Sequence, residues 1–175
     1  MRMESLFSGI ILPILAIPWE FYAYSIERSL YLGALIVSLA EIISLILVKN
    51  ITNNSLNISI NKGILLTIIL ILIMIFPYYD SLYNSIIFNY PLLIFPAIIG
   101  GICEECIYRG YILEDGKYDV YIQAILWSFN HILDGLFFVA YTILIGIVLG
   151  FVSRKYGILP CIIAHTISNV LILIL

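Results

Sequence analysis

Long apolar runs alternate with short polar clusters along almost the whole chain. Each run approaches the roughly 20 residues that a helix needs to cross the hydrocarbon core of a bilayer. Charged and turn-forming residues mark the ends of the runs. The pattern predicts seven spans, at residues 6–24, 30–48, 63–79, 92–113, 119–133, 136–152 and 158–175. The third and fifth runs are the weakest of these.

The composition agrees with this pattern. Hydrophobic residues make up 63% of the 175 positions and charged residues 11%, and the mean hydropathy is +1.12. A soluble domain of this length does not need so apolar a composition. We therefore expect an all-α, polytopic transmembrane helical bundle of about seven spans, embedded in the lipid bilayer as a single domain over residues 1–175. Because no small-x-small cleavage site follows Ala16, we expect the first run to be a retained span.

The polar stretch at residues 49–62, rich in Asn and Ser, is the main linker. It ends an introductory part, residues 1–62, with two spans. The rest, residues 63–175, carries the other spans and all the motifs described below, which lie within residues 97–172.

The lysines and arginines outside the Glu-Glu motif predict the orientation. On one side of the seven-span arrangement lie Arg2, Lys49, Lys62, Lys117, Arg154 and Lys155, and on the other lies Arg28. By the positive-inside rule the first side is cytoplasmic, which places the amino terminus inside and the carboxyl terminus outside. The net charge is -3 and no basic patch is present, so we expect no nucleic-acid partner.

Polar and ionisable side chains recur at a four-residue spacing inside three of the runs. Such groups are costly in a bilayer, which makes them candidates for a functional site by default. Residues four apart lie on one helix face. The pairs are Glu105 with Arg109, Trp127 with His131, and His165 with Asn169, and Glu104 precedes the first pair.

The depths of these groups agree with one another. At about 1.5 Å of rise per residue, Glu104 lies roughly 13 Å and His165 roughly 10 Å from the same membrane face. His131 and Asn169 lie roughly 16 to 18 Å deep in upright helices. Arg109 can neutralise one carboxylate of the acidic pair and leave the other for chemistry. A carboxylate, two imidazoles and an amide in one layer suffice to activate water and to stabilise an oxyanion.

Three motifs in this order resemble the CPBP intramembrane proteases, which include the type II CAAX prenyl endopeptidases and the bacteriocin-immunity (Abi) proteins. They are E-E-C-I-Y-R-G from residue 104, W-S-F-N-H from residue 127, and the long run at residues 145–169 that ends in H-T-I-S-N. The resemblance covers roughly residues 97–172. Two features depart from the family: Trp127 stands where Phe is more frequent, and the connection from Arg109 to His131 is shorter than usual.

The resemblance implies an endopeptidase that hydrolyses a peptide bond in a cavity open to the cytoplasm. The substrate would be a membrane-associated peptide or a prenylated protein. Glu104 resembles the base that activates water, with help from His131, and His165 and Asn169 resemble the pair that stabilises the oxyanion. The supporting residues would be Glu105, Arg109 and Trp127. A zinc ion, with Glu104, His131 and His165 as ligands, has also been proposed for the family, but we expect a metal-free site.

Other interpretations of these residues stay open. Glu105 and Arg109 could form a purely structural salt bridge. The polar cluster, together with Glu41 in the second span, would also suit a small-solute-binding subunit of a transporter. An inactive Abi-like scaffold or immunity protein would keep the same helices. Cys103 and Cys106 form a C-x-x-C, and we expect them to be small packing residues.

Overall fold

The computed structural model describes residues 1–27, 29–52, 54–58, 63, 66–81 and 90–174. These residues are mostly helical, and no strand occurs among them. The α-helices are α1 (Met3–Ser8), α2 (Ile11–Phe21), α3 (Leu30–Ile51), α4 (Leu66–Ile75), α5 (Ile94–Glu105), α6 (Asp119–Ser128), α7 (Leu136–Tyr156) and α8 (Leu159–Ile174). The predicted all-α helical bundle is thereby confirmed.

Four helical segments in the described part of the chain are long and apolar enough to cross a membrane. They are Met3–Phe21, Leu30–Ile51, Pro91–Ile112 and Leu136–Tyr156. Two shorter apolar segments, Leu66–Tyr78 and Leu159–Ile174, correspond to the third and last predicted spans. In Leu66–Tyr78 several large apolar side chains are exposed, as expected of a helix that contacts lipid: Ile68, Ile69, Leu72 and Phe76.

Two of the predicted spans are less regular than the apolar pattern suggests. The first is interrupted between α1 and α2, because Pro13 has no N–H to donate to the carbonyl of Gly9. That carbonyl accepts a hydrogen bond from the Tyr108 hydroxyl instead. The fifth continues beyond α6 as a 3₁₀ turn, Phe129–Asp134, which ends at Gly135 with a φ of 99°.

Close approach between helices depends on small residues. Helix α5 packs on α8, and α7 packs on α6. A Cβ at Gly101 of α5 would lie 2.7 Å from the backbone of Thr166 in α8, and one at Gly146 of α7 would lie 2.9 Å from the Cβ of Ala124 in α6. These glycines therefore set the separation of the helices that carry the predicted motifs.

The segment that follows α5 joins several parts of the chain at one end of the bundle. Glu114 accepts hydrogen bonds from the Nε of Arg2, at 2.8 Å, and from the hydroxyl of Ser5, at 2.5 Å. The guanidinium of Arg154, at the end of α7, donates to the backbone carbonyls of Glu114 and Gly116. Arg2 and Arg154 therefore lie together, as predicted, whereas Arg28 and Lys62 lie outside the described residues.

These contacts also affect the ionisation of Glu114. Partial burial would raise the pKa of this carboxyl group, but the hydrogen bonds from Ser5 and Arg2 outweigh that effect. The pKa of Glu114 is therefore lower than usual.

The three cysteines are free and buried. The side chains of Cys103 and Cys106 are only 5% and 7% exposed, and Cys161 is fully buried. This burial agrees with the predicted packing role of the C-x-x-C pair.

Candidate active site

The acidic pair lies where the helix changes its geometry. Helix α5 ends at Glu105, and the chain continues as a π-helix over Cys106–Ile112. Such π segments in α-helices often accompany functional sites. Arg109, within this segment, places its Nη1 3.2 Å from Oε1 of Glu105, and both side chains are fully buried. The predicted pairing of Glu105 with Arg109 is present in the structure.

His165 of α8 faces both carboxylates. Its Nδ1 lies 2.8 Å from Oε1 of Glu105, and its Nε2 lies 4.0 Å from Oε2 of Glu104. Because a carboxylate accepts hydrogen bonds, Nδ1 is assigned as the donor to Glu105. This contact orients the imidazole and leaves Nε2 facing Glu104.

Trp127 of α6 contacts the same glutamate. Its indole N–H donates a hydrogen bond to Oε2 of Glu104 at 2.5 Å. The guanidinium of Arg109 lies 4.1 Å from the centre of the indole ring. The four-residue spacing predicted that Trp127 and His131 share one helix face. It did not reveal this hydrogen bond, which joins two helices.

His131 and Asn169 lie farther from the acidic pair. His131 lies in the 3₁₀ turn, where its Nδ1 is 3.1 Å from Oδ2 of Asp134, and its ring centre is 5.5 Å from that of Trp127. The amide of Asn169 donates to the carbonyl of Ala97 at 3.3 Å. The structure thus brings Glu104 and His165 together, while His131 contacts the indole of Trp127.

A small cavity joins side chains from α6, the 3₁₀ turn and α8. It has a volume of about 60 Å³, and its wall includes Trp127, His131, His165 and Asn169. This volume has room for a few water molecules. Glu104 is not part of the wall, although its carboxylate contacts both Trp127 and His165 there.

Glu41 adds a third carboxylate next to α5. It is 4% exposed, and a Cβ at Gly100 would lie 3.0 Å from its Oε1. Its Oε2 has no hydrogen-bond partner among the described residues. Gly100 precedes Glu104 by one helical turn, so Glu41 packs near the face that carries Glu104. In the sequence, Glu41 joined the polar cluster only under the transporter interpretation.

The arrangement does not match a metal centre. Within the described ranges, no three His, Cys, Asp or Glu side chains are grouped to hold a metal ion. Two of the three candidate ligands are engaged in other contacts. Oε2 of Glu104, the oxygen nearest His165, accepts the hydrogen bond from Trp127, and the ring of His131 makes a T-shaped contact with the same indole. The side chains as placed therefore do not fit a zinc ion, and we derive no step through one.

Comparison with known families agrees with the motifs. The model of the Rce1-like family, described as type II CAAX prenyl endopeptidase Rce1-like, matches residues 86–171. The match includes the acidic pair, both histidines and Asn169. Neither a curated protein nor a solved structure matches the chain significantly. The family is one of proteases, and residues 86–171 of this integral membrane protein are similar to it.

Proposed function

We propose that the protein is an intramembrane endopeptidase in which Glu104 activates the attacking water. The observation that carries the proposal is the buried contact between Glu104 and Nε2 of His165. Glu105 binds the other ring nitrogen, Nδ1, and so fixes the imidazole. Ionisable groups at this depth are expensive to bury and are retained mainly for function.

The distance between Glu104 and His165 suits a bound water. At 4.0 Å, Oε2 of Glu104 and Nε2 of His165 are too far apart for a direct hydrogen bond, but one water can bond to both from beside the line that joins them. As the water oxygen attacks the peptide carbonyl, its proton passes to Glu104. Glu104 then gives the proton to the leaving amine when the C–N bond breaks.

The negative charge that develops on the carbonyl oxygen needs donors. His165 and Asn169 are one turn apart on α8 and both line the cavity. Because Nδ1 of His165 donates to Glu105, its Nε2 would donate to the oxyanion in the imidazolium form, which has two N–H donors. The amide of Asn169 would exchange its bond to the Ala97 carbonyl for one to the oxyanion. His131 would assist from another part of the wall, where its Nε2 is buried and has no partner among the described residues.

Two further cavities support a substrate that carries a hydrocarbon chain. The first, of about 290 Å³, shares Asn169 and Ile172 with the site cavity. The second, of about 360 Å³, shares Leu93 and Pro96 with the first, and its wall between α3 and α5 is almost wholly apolar. We propose a membrane-associated peptide, with a prenyl group in the apolar space, as the substrate class.

The proposal is tested by cleavage of farnesylated and unmodified membrane peptides by purified protein in liposomes, with products identified by mass spectrometry. Glu104→Gln should remain folded, because the two side chains have nearly the same shape, and should lower kcat at least about 100-fold. Glu4→Gln, at an exposed carboxylate, is the matched control. The same assay with a chelator tests the expected metal independence.

Each other outcome has a defined meaning. Wild-type turnover by Glu104→Gln would remove Glu104 from the mechanism. Activity that is lost to a chelator and restored by zinc would establish a metal enzyme. A folded wild-type protein that cleaves no peptide would favour the inactive scaffold.

A further inference from the structure

We propose that Trp127 is a positioning residue whose indole N–H holds the Glu104 carboxylate in its working orientation. The proposal rests on the role of Glu104 as the base. It assigns to Trp127 a task that the more frequent Phe at this position cannot perform, because Phe has no donor.

The contact is short, buried and specific. Trp127 is 2% exposed, and its only polar hydrogen points at Oε2 of Glu104, 2.5 Å away. A buried indole N–H needs an acceptor, and a hydrogen bond to a charged acceptor is among the stronger ones in proteins. The orientation of the carboxylate and that of the indole are therefore coupled.

The indole is itself held from several sides. The guanidinium of Arg109 covers one face, and the rings of His131 and His165 meet it edge-on with centres 5.5 Å away. Gly146 of α7 approaches so closely that a Cβ there would lie 3.1 Å from Cε3 of the indole. With these neighbours in place, the donor has little freedom to turn away from Glu104.

This hydrogen bond determines which oxygen meets the water. The oxygen of Glu104 that accepts from Trp127 is the same one that lies 4.0 Å from Nε2 of His165. The terminal torsion of a glutamate has a broad, shallow preference. Without the indole N–H, the carboxylate would rotate, and fewer of its orientations would place an oxygen where the water can bridge to His165.

Trp127→Phe keeps an aromatic ring and removes the donor. Because a misplacement of about 1 Å in the reacting groups can cost about 100-fold in rate, we expect kcat to fall by about 10- to 100-fold while KM stays nearly unchanged. Trp19→Phe is the control, since Trp19 is 59% exposed and the chain has two tryptophans. Unfolding midpoints of the variants separate loss of activity from loss of fold.

Indole NMR tests the hydrogen bond without any substrate. In protein labelled with ¹⁵N-tryptophan, Trp19→Phe identifies the Trp127 signal, and we expect its N–H proton to resonate downfield. Glu104→Gln replaces the charged acceptor by an amide, so the signal should move upfield, whereas Glu4→Gln should leave it in place.

Two results would overturn the proposal, and they differ from failure of the proposed function. An indole signal that ignores Glu104→Gln would refute the hydrogen bond. A folded Trp127→Phe variant with unchanged or higher kcat would refute the positioning role. If the wild-type protein cleaves no peptide, the proposed function is wrong, and so is the role of Trp127 in catalysis. The NMR signal still shows whether the hydrogen bond between Trp127 and Glu104 exists.

Discussion

Glu105 is the residue that holds the polar groups of the site together. Its Oε1 faces both Nδ1 of His165 and Nη1 of Arg109. None of these three side chains is more than 5% exposed. The guanidinium has no well-aligned hydrogen bond among the described residues, so its contacts are the ion pair with Glu105 and the indole of Trp127. A buried charge with so few partners depends strongly on each of them.

Replacing Arg109 alone should therefore destabilise the fold more than replacing both Glu105 and Arg109. Arg109→Met leaves the Glu105 carboxylate buried without its counter-ion, and we expect a loss of about 3–5 kcal/mol in the free energy of unfolding. Glu105→Gln combined with Arg109→Met should lose less. The measurement is reversible unfolding in micelles, with Lys155→Met, at an exposed lysine, as the control. A double variant less stable than Arg109→Met would contradict the expectation.

Spacing along one helix predicted only part of this network. The ion pair of Glu105 and Arg109 follows from their separation by four residues, since both lie on one helix face. The bonds from His165 to Glu105 and from Trp127 to Glu104 cross between helices. Their partners depend on helix rotation and on side-chain rotamers, which the sequence of a single chain does not determine.

The pairing of α5 with α8 connects the acidic residues to His165. Gly101 lies one turn before Glu105 and meets the backbone of Thr166, the residue that follows His165. Backbone atoms cannot turn aside as a flexible side chain can. The distance between the two carboxylates and the imidazole is thus set by a glycine that has no chemical role.

Gly101→Ala should separate the two helices. Its Cβ would lie 2.6 Å from Oγ1 and 2.7 Å from the Cα of Thr166, so the helices must move apart. We expect a loss of about 1–3 kcal/mol in stability and a fall in kcat. Ile102→Ala, at a side chain 40% exposed, is the control for a change in the same turn. Unfolding in micelles and the cleavage assay measure both effects, and a fully active, stable Gly101→Ala variant would contradict the argument.

Apolar periodicity predicted the helices better than their internal geometry. It located each of the eight α-helices within a predicted span, apart from short extensions at the ends of some. It did not predict the π-helix at Cys106–Ile112 or the 3₁₀ turn at Phe129–Asp134. Both have nearly the same hydrophobic pattern as an α-helix, and they differ in hydrogen-bond register, which depends on the packing around them.

Across the whole molecule, Glu114 connects parts of the chain that are far apart in sequence. It binds the side chains of Arg2 and Ser5, and its own carbonyl accepts from Arg154. The side-chain bonds need an ionised carboxylate to be strong. Acid should therefore loosen this end of the bundle.

The direction of the pH effect follows from the lowered pKa of Glu114. A carboxyl group whose pKa is lower in the folded state stabilises that state above its ordinary pKa of about 4.3, and the stabilisation is lost as the pH falls through the lowered value. Glu114→Gln should lower the unfolding midpoint at pH 7, and the difference from wild type should shrink in acid. Asp115→Asn, at an exposed carboxylate of the same loop, should show no such trend. A constant difference at every pH would argue against this linkage.

The orientation of the bundle in the membrane stays a prediction. The loop with Lys117 lies at the start of α6, and Leu136 follows the 3₁₀ turn at the other end of that segment. If the first side is cytoplasmic, an impermeant thiol reagent on intact cells should label Leu136→Cys but not Lys117→Cys, in a background without the native cysteines. The reverse pattern would invert the topology. Labelling of both would mean that this segment does not span the membrane.

The burial of the native cysteines has a practical consequence for measuring motion. Cys103 and Cys106 flank the acidic pair, and Cys161 lies one turn before His165. A thiol reagent reaches such groups only during transient opening of the surrounding helices, so the rate of modification reports how often each region opens. The modification rates of the three thiols thus report the fluctuations that would admit a substrate. They need no added label, and each can be isolated by replacing the other two.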